Sequence, residues 1–502
     1  MATVRPAASV VLVRADGRVL WVRRGEQLRF SAGFYAFPGG GVDVEDAAVP
    51  FQNGEALDAA EAPCVTAAAR ELFEETGVLA VPGAERVARK ERKDVREALL
   101  TRPATASFGD FLARHGLRVD ARQFAKAGRW VTPQAMPIRF DARFYLVELP
   151  QGEEAEIWPG ELTMGEWILP TEALRRWESG TALLHPPAWH TLKSLAHAAS
   201  PRDALPLLTA PDKAPWGLPM EEHIVQRIEF QRGLLLVPLR TPTLPPATHT
   251  NCFLLGDDEL WIVDPGSPWP EEQAILRDTL DRLAAEGRKA VGVLLTHHHL
   301  DHVGGAQVLG LPIAASAETA ALLDFKVDRI LRDGDRLEVG PRGWRALHLP
   351  GHTRGHLCLI EVGSGAVVAG DLVAGVGTVI IDPPEGDMAD YLASLDRLLG
   401  EKPGALFPAH GPVVPGGALK LEQYRAHRKE REALVLAALS KHEGPASLGE
   451  LVALAYPDVK PALYPYAERS LLAHLLKLTQ EGRAEQVGDS FKLQARSPKP
   501  EA

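Results

Sequence analysis

The apolar positions in the first 200 residues alternate between strand-like and helical spacing. Residues 8–24, ASVVLVRADGRVLWVRR, contain two alternating apolar runs around Asp16-Gly17, a pattern that predicts a β-hairpin. Residues 64–76 read as a helix, and Gly77 follows as a stop signal. Strand-like runs follow at 143–150 and 166–170. This part of the chain therefore predicts a mixed α and β domain.

The second half shows regular alternation of strands and helices. It starts near Glu221 and has strand-like runs within 251–266, helical spacing over 270–287 and an apolar strand at 290–296. After His410 the pattern becomes helical at 421–444, at 448–456 behind the capping residue Ser447, and at 468–482. A hairpin signal at Gly488-Asp489 follows. Three helices that end in a hairpin predict a winged helix.

A polar, proline-containing stretch at 200–219 separates the two halves and predicts a linker. We therefore predict a first domain at 1–200, a linker at 201–222, a second domain at 223–425 and a winged-helix-like domain at 426–496. Interface residues cannot be derived from a single sequence, and the oligomeric state stays open.

Composition adds limits on the class of protein. The 502 residues are 45% hydrophobic and 24% charged, as in ordinary globular proteins, and no apolar run reaches membrane-spanning length. The N-terminal segment lacks a secretory signal, so we expect a cytoplasmic protein without a membrane partner. Cys64, Cys252 and Cys358 lack metal or disulfide spacing. A net charge of -11 disfavours a surface wholly committed to nucleic acid but permits a local basic groove.

Histidines and aspartates follow the apolar runs of the second half. Strand 290–296 leads into a short loop, and three later strand-like runs each precede one further candidate. The full set is His297, His299, Asp301, His302, His352, Asp371 and His410. Strand ends bring such side chains to one rim of a sheet. Imidazole and carboxylate ligands suit zinc, and also manganese or iron, and the lack of thiolates indicates an open, catalytic site.

The motifs HxHxDH, GHTxGH, GD and HG resemble those of the metallo-β-lactamase superfamily over about residues 225–415. The resemblance implies an αββα sandwich with two metal ions, one held by His297, His299 and His352 and the other by Asp301, His302 and His410. Asp371 would bridge the ions, and Asp301 is also assigned a catalytic role. A water between the ions would attack an ester-like centre. Beyond these ligands, we expect His356 to brace the loop or contact substrate, Asp264 to be structural, and His298 and His348 not to bind metal.

The tail of the second half resembles the lactamase-beta-like endoribonucleases, which implies phosphodiester hydrolysis on single-stranded RNA. The alternative is a thioesterase of the glyoxalase II kind. The last predicted helix carries Arg469, His474 and Lys477 but also Glu468 and Glu481, so it forms no clear basic stripe. Nucleic-acid contact by the winged helix stays open.

The first half contains a carboxylate motif, Arg70-Glu71-Leu72-Phe73-Glu74-Glu75-Thr76-Gly77-Val78. On a helix Glu71, Glu74 and Glu75 share one face and can converge on magnesium or manganese. The motif resembles the Nudix box, with Gly40, Arg70 and Gly77 as supporting positions. The resemblance implies an α/β/α sandwich that hydrolyses diphosphates, in which Glu74 and Glu75 are the catalytic carboxylates.

The first half departs from the Nudix pattern in one respect. Gly40 precedes Arg70 by thirty residues rather than fourteen, so the upstream glutamate of the motif is not identified, and Glu61 is nearest. Residues 27–43 and 130–150 resemble the coenzyme A diphosphatase branch, which carries an insertion here. This favours coenzyme A derivatives or nucleoside diphosphate conjugates as substrates. Glu148 and Glu161 are candidates for a further base or metal ligand.

These observations together predict a bifunctional metal-dependent hydrolase with α/β and α+β domains. Its expected ligands are nucleotide or coenzyme A-type small molecules and, for the second half, single-stranded RNA. A nucleotide-sensing regulatory binding protein is a further alternative. Seven metal-binding side chains argue against it, because a protein that only binds does not need them.

Overall fold

The computed structural model describes residues 3–494 except 27, 29–30, 56, 102–103, 135, 137, 159 and 340–341. The predicted domains and motifs also include some of the other residues, and those positions lie outside the described part of the chain. The chain divides into two compact units, Met1–Leu235 and Leu236–Ala502.

The first unit is built on a twisted sheet around the strand Val4–Val13. Its strand order is Tyr35–Ala36, Val19–Arg24, Val4–Val13, Arg139–Glu148 and Ala125–Val131, with Gly39–Gly41 beside Val4–Val13 and Leu162–Ile168 beside Val19–Arg24. Short strands lie at Phe51–Gln52, Val119–Asp120, Met220–Glu221, Ile224–Val225 and Ile228–Gln231. The helices are Ala62–Thr76, Arg89–Leu100, Phe108–Arg114, Pro170–Glu178, Pro186–His197 and Leu205–Thr209.

Helices cover both faces of this sheet because its central strand is apolar on both sides. Val10 and Leu12 belong to the core beneath helix Ala62–Thr76, whereas Val11 and Val13 point into the core beneath helices Pro170–Glu178 and Pro186–His197. Successive side chains of a strand point to opposite faces, so one strand serves two cores. The predicted α/β/α sandwich is confirmed.

The segment 201–222, predicted as a linker, is folded within the first unit. Ala204, Leu208 and Leu218 are buried in the second of these cores. The segment follows the surface of the sheet so closely that a Cβ on Gly128 would lie 2.9 Å from the Leu208 carbonyl oxygen. Its apolar residues alternate with prolines and charged residues, and this pattern concealed their burial. The domain limits stay predictions.

The second unit contains two sheets with helices outside them. The first runs through Leu234–Arg240, His249–Leu255, Glu259–Val263, Lys289–Leu294, Ile313–Ala315 and Arg329–Ile330, and the second through Arg336–Leu337, Trp344–His348, Leu357–Glu361, Val367–Gly370 and Leu406–Pro408. The helices are Pro270–Ala285, Leu300–Val303, Ala317–Ala320 and Met388–Gly400. The sheets meet through the edge-to-face rings of Phe253 and Phe407, 6.0 Å apart, which gives the αββα sandwich.

The winged helix follows as predicted. Helices Gly417–Leu439, Leu448–Ala455 and Tyr464–Gln480 precede the hairpin of Ala484–Val487 and Ser490–Leu493. Ser447 caps the second helix in a reciprocal capping box with Glu450. Leu451, Leu471 and Phe491 share one core.

Among the described residues, no helix has both the length and the apolar character that crossing a bilayer requires.

Candidate functional site

Strand ends bring the seven predicted ligands of the second unit together. His297 follows strand Lys289–Leu294, Asp371 follows Val367–Gly370 and His410 follows Leu406–Pro408. The candidate ligand atoms form three sets, and within each set the atoms lie within 4.8 Å of one another. The sets are His297, His299 and His352; His297, His302 and Asp371; and Asp301, His302 and His410. The structure therefore brings the seven predicted residues close to one another.

Distances within the cluster suit cations. His299 Nδ1 lies 2.9 Å from His297 Nε2 and 3.2 Å from His352 Nε2. Asp371 approaches both sets, with one oxygen 3.5 Å from His352 Nε2 and the other 3.6 Å from His302 Nε2. His302 Nε2 and Asp371 Oδ1 are buried without a hydrogen-bond partner in the described part of the chain. Such buried ligand atoms without hydrogen-bond partners fit the binding of metal.

In His302, His352 and His410, the Nδ1 atom forms a hydrogen bond with an oxygen. His352 Nδ1 bonds the Ile380 carbonyl at 2.9 Å, and His410 Nδ1 bonds the His249 carbonyl at 3.0 Å. His302 Nδ1 bonds Asp264 Oδ2 at 2.9 Å. A neutral ring whose Nδ1–H donates to oxygen presents an unprotonated Nε2, so these partners select the tautomer a metal needs.

Asp264 holds its position by backbone conformation as well as by hydrogen bonds. Its carboxylate accepts from Thr296 N at 2.8 Å and from Thr296 Oγ1 at 2.7 Å, and its φ is 51°. Left-handed backbone is uncommon in a non-glycine residue and concentrates at functional sites. Two residues later, a Cβ on Gly266 would lie 1.8 Å from the Asp301 carbonyl oxygen. Only glycine allows this approach.

The other three histidines have separate positions. His356 is buried, and its Nε2 accepts from the Asp371 N–H at 3.0 Å, so it braces the loop that carries Asp371. His348 Nε2 bonds the Arg354 carbonyl at 2.8 Å. Neither His348 nor the half-buried His298 belongs to a ligand set.

Burial and neighbouring charges have opposing effects on the pKa of Asp371 in the cluster. Burial acts to raise the pKa of Asp371, yet His410 and His302 hold it well below its usual range. Burial and the neighbouring imidazoles lower the pKa of His299 to about 3. The carboxylate is thus ionised and this imidazole neutral near pH 7, as metal ligation requires.

Three exposed apolar side chains belong to the loops next to this cluster and are termed here the apolar rim. They are Leu244 (43% exposed), Leu300 (58%) and Val376 (56%). Leu244 follows Thr243, whose Oγ1 is 3.5 Å from His410 Nε2, and Leu300 precedes Asp301. Val376 follows Gly375, whose N–H donates to the His410 carbonyl. Apolar side chains left in water beside a reactive centre mark a binding surface.

In the first unit, the helix Ala62–Thr76, termed here the carboxylate helix, carries the Nudix-like motif. Gly77 ends it at φ 74°, as predicted. Arg70 ties the helix to the preceding loop through Asp46, whose two oxygens are each 3.0 Å from the guanidinium, and through the Gly41 carbonyl. The sequence did not indicate Asp46, because the motif spacing does not cover the inserted segment between it and Arg70.

The three motif carboxylates do not form one compact set. Arg70 Nη1 lies 2.8 Å from Glu71 and 3.2 Å from Glu74, whereas Glu75 accepts the Gly39 N–H at 2.8 Å. Burial and the charges of Glu74 and Glu161 raise the pKa of Glu71 to about 7. Burial and Glu71 raise that of Glu75, with a smaller contribution from Glu161. Neighbouring, half-buried carboxylates with raised pKa values favour a divalent cation.

The further carboxylate candidates, Glu161, Glu148 and Glu61, have different surroundings in the structure. Glu161 lies close enough to Glu71 and Glu75 to influence both. Glu148 is exposed and paired with Arg202 at 2.8 Å. Glu61 stands at the other end of the carboxylate helix, where it accepts from Tyr145 Oη at 2.6 Å. Of these three, Glu161 is the one whose charge raises the pKa of Glu71 and Glu75.

Arg96 on helix Arg89–Leu100 joins the end of the carboxylate helix to the loop that carries Glu161. Its guanidinium, 2% exposed, donates to the carbonyls of Glu74 and Glu75 at 2.7 Å and to that of Glu156 at 2.9 Å. These contacts satisfy carbonyls at a helix end and fix the loop relative to the motif.

The basic residues of the last helix of the winged helix are already paired. Arg469 contacts Asp382 at 3.1 Å, and Lys477 contacts Glu432 at 2.7 Å and Glu481 at 2.6 Å. His474 is fully buried. This helix therefore lacks a free basic surface.

Comparisons with known proteins agree with this architecture. The family model of the metallo-β-lactamase superfamily matches residues 245–314 and 309–410, that of the NUDIX domain matches 3–184, and that of the beta-lactamase associated winged helix domain matches 447–492.

Three similar proteins each match somewhat less than half of the chain. The Drosophila melanogaster protein "Beta-lactamase-like protein 2 homolog" is 30% identical over 48% of this chain and 86% of its own length. The "Atrochrysone carboxyl ACP thioesterase" of Aspergillus chevalieri is 31% identical over 44% of this chain and 74% of its own. A NUDIX hydrolase structure from Alicyclobacillus acidocaldarius is 31% identical and covers 42% of this chain and 98% of its own, with a TM-score of 0.37. The chain is a hydrolase of the metallo-β-lactamase superfamily that also carries a Nudix domain before, and a β-lactamase-associated winged helix after, its metallo-β-lactamase domain.

Proposed function

We propose that the protein has two hydrolytic centres, one that cleaves acyl thioesters in the metallo-β-lactamase domain and one that cleaves diphosphates in the Nudix domain. The observation that carries the first assignment is the apolar rim around the histidine and aspartate cluster. An acyl chain gains free energy by covering such side chains, whereas the phosphates of RNA require cations. The name of the Aspergillus relative agrees with this choice.

The seven ligands would hold two zinc ions, or manganese or iron. When bound, the ions supply an activated water near neutral pH and stabilise negative charge on the carbonyl oxygen. Asp301 lies at the rim beside Leu300, with Oδ2 3.4 Å from His410 Nε2, and orients the groups around the reacting carbonyl. Asp264 positions His302 through its hydrogen bond to Nδ1, and His356 positions Asp371 by accepting its backbone N–H.

In the Nudix domain, we assign magnesium or manganese binding to Glu71, Glu74 and Glu75, with Glu161 as a further base or ligand. Arg70 and Asp46 fix the helix against the Gly-rich strand Gly39–Gly41, where the Gly39 N–H holds Glu75. A coenzyme A derivative or a nucleoside diphosphate conjugate would supply the diphosphate.

A second candidate for the metallo-β-lactamase domain is hydrolysis of single-stranded RNA. It is favoured by Arg354, an exposed cation two residues from His352 that bonds the Pro384 carbonyl rather than a carboxylate. The pairing of Arg469 and Lys477 weakens this candidate, because it leaves the last helix of the winged helix without free cations.

The test is turnover of the full chain, supplied with zinc and magnesium, on hexanoyl-coenzyme A, coenzyme A and a single-stranded RNA. Wild type is compared with His297→Ala and Glu75→Gln, and with His348→Ala as a matched histidine outside the ligand sets. We expect thioester hydrolysis to be lost only in His297→Ala and diphosphate cleavage only in Glu75→Gln.

RNA cleavage without thioester hydrolysis would select the second candidate. Loss of both reactions in one variant would contradict two separate centres. Absence of turnover on all three substrates would refute the proposal.

A further inference from the structure

A pocket of about 340 Å³ lies in the second unit between helix Gly417–Leu439, termed here the long helix, and the loop 371–381. Its lining residues are Gly377, Thr378, Lys420, Gln423, Tyr424 and His427. Lys420, Tyr424 and His427 recur at helical spacing, so the long helix presents one continuous side to the pocket.

The pocket is cationic. Lys420 is half-buried, with its ammonium 5.1 Å from the centre of the Tyr424 ring, and forms no ion pair with a described residue. His427 is half-buried beside Arg428, which donates to Thr378 Oγ1 at 2.8 Å. None of the six lining residues is acidic. A lysine that gives up hydration without gaining a carboxylate is suited to an anionic ligand.

The same loop joins this pocket to the metal-ligand cluster. It begins at Asp371, and Tyr424 Oη accepts from the Ala374 N–H at 2.9 Å and donates to the Gly377 carbonyl at 2.9 Å. Near its end, the Ile380 carbonyl accepts from His352 Nδ1. Gly377 is six positions after Asp371, so their Cα atoms are at most about 22 Å apart.

We propose that this pocket binds a phosphate group of the substrate whose scissile bond lies at the metal-ligand cluster. The Lys420 ammonium, the Thr378 hydroxyl and the Gln423 amide supply donors, and His427 adds one more when protonated. The inference rests on the proposed hydrolysis at that cluster. Phosphate chemistry is shared by a phosphopantetheine thioester and by an RNA backbone, and the experiment separates these two sources.

The experiment compares hexanoyl-4′-phosphopantetheine with hexanoyl-pantetheine, which differ only by the phosphate. Neither contains a diphosphate, so the Nudix centre has no bond to cleave. The zinc-loaded wild-type chain is measured beside Lys420→Ala, Lys420→Arg and, as a matched control on an exposed side of the long helix, Lys429→Ala. Thermal unfolding midpoints verify that each variant folds.

We expect Lys420→Ala to raise KM about tenfold or more for the phosphorylated thioester, with kcat unchanged, because a charge-assisted contact is lost. KM for hexanoyl-pantetheine should not change. Lys420→Arg should restore much of the affinity, and Lys429→Ala should behave as wild type. Equal effects on both thioesters, or no effect on either, would overturn the subsite.

The subsite can stand or fall apart from the thioesterase proposal. If wild type cleaves RNA but neither thioester, a higher RNA KM in Lys420→Ala supports the subsite with the RNA backbone as its source, and an unchanged KM refutes it. If no substrate turns over, calorimetric binding of 4′-phosphopantetheine decides: weaker binding in Lys420→Ala supports the subsite, and equal or absent binding overturns it.

Discussion

Asp264 connects His302 to the backbone of Thr296, next to the predicted metal ligand His297. An Asp264→Asn side chain retains an acceptor for Thr296 N but presents an amide N–H to His302 Nδ1. That ring would then carry its proton on Nε2, the atom that faces the cluster. We expect bound zinc to fall from two ions towards one and kcat/KM of the metallo-β-lactamase centre to fall about 10–100-fold.

Metal analysis and thioester kinetics measure both effects, with the exposed Asp258→Asn of the same unit as control. Full zinc occupancy in Asp264→Asn would contradict the tautomer argument.

Glu161 and Glu148 offer a matched pair in the Nudix domain. Glu161 adjoins Glu71 and Glu75, whereas Glu148 pairs with Arg202 on the surface. We expect Glu161→Gln to lower diphosphate turnover about 100-fold or more, since general acid-base catalysis contributes that much, and Glu148→Gln to leave it unchanged. Coenzyme A cleavage measured at saturating magnesium tests this. Equal activity of the two variants would remove Glu161 from the centre.

The sequence was most informative on residues whose roles depend on local spacing. The run from His297 to His302 and the carboxylates of the motif could be named because strand ends and helix faces position near neighbours predictably. Asp46 could not, since it reaches Arg70 across an inserted segment of a length that spacing rules do not cover. Glu161 could be proposed only together with Glu148, because nothing local distinguishes the two.

At the scale of elements, helix Arg89–Leu100 holds the end of the carboxylate helix through Arg96. We expect Arg96→Ala to lower kcat for diphosphate cleavage about tenfold or more, with a smaller change in KM, because Glu161 and Glu75 would lose their mutual position. Arg96→Lys should restore only part of the activity, since one ammonium cannot reach three carbonyls in a fixed plane. Arg89→Ala, exposed on the same helix, is the control. A selective rise in KM would instead indicate a substrate contact.

His190 fastens the segment 201–222 to helix Pro186–His197. Its Nε2 bonds the Leu207 carbonyl at 3.0 Å, and its Nδ1 accepts from Trp216 Nε1 at 3.1 Å. Burial lowers the pKa of His190 to about 4, against the opposing effect of the Leu207 bond. Below pH 6.5 the unfolded state takes up the proton first, so stability falls as the pH is lowered towards 4.

We expect the wild type to lose about 2 kcal/mol more than His190→Gln between pH 7 and pH 5, since glutamine can keep both hydrogen bonds without titrating. Hydrogen exchange of peptides from 186–218, corrected for intrinsic rates, measures the difference. Identical pH dependence in the two proteins would contradict it.

At the scale of the whole molecule, metal should stabilise one unit selectively. A ligand that binds only the folded state contributes about 4 kcal/mol at a thousandfold excess over its Kd. We expect zinc to raise, and a chelator to lower, the thermal transition of the second unit while the transition of the first unit stays in place. Calorimetry of the full chain follows both. The response should disappear in Asp371→Ala, and its persistence there would place the zinc elsewhere.

The sequence by itself determined the order of the domains, the class of each sandwich and the identity of the metal-ligand candidates. These depend on periodicity and on short spacings, which act between neighbours in the chain. Only the tertiary structure decided that 201–222 is folded, that Asp46 is the partner of Arg70 and that Arg469 and Lys477 are neutralised by acidic residues. It also placed Lys420 and Thr378 in one pocket. Each of these outcomes depends on the distance between residues far apart in sequence, and that distance is set by how sheets and helices pack.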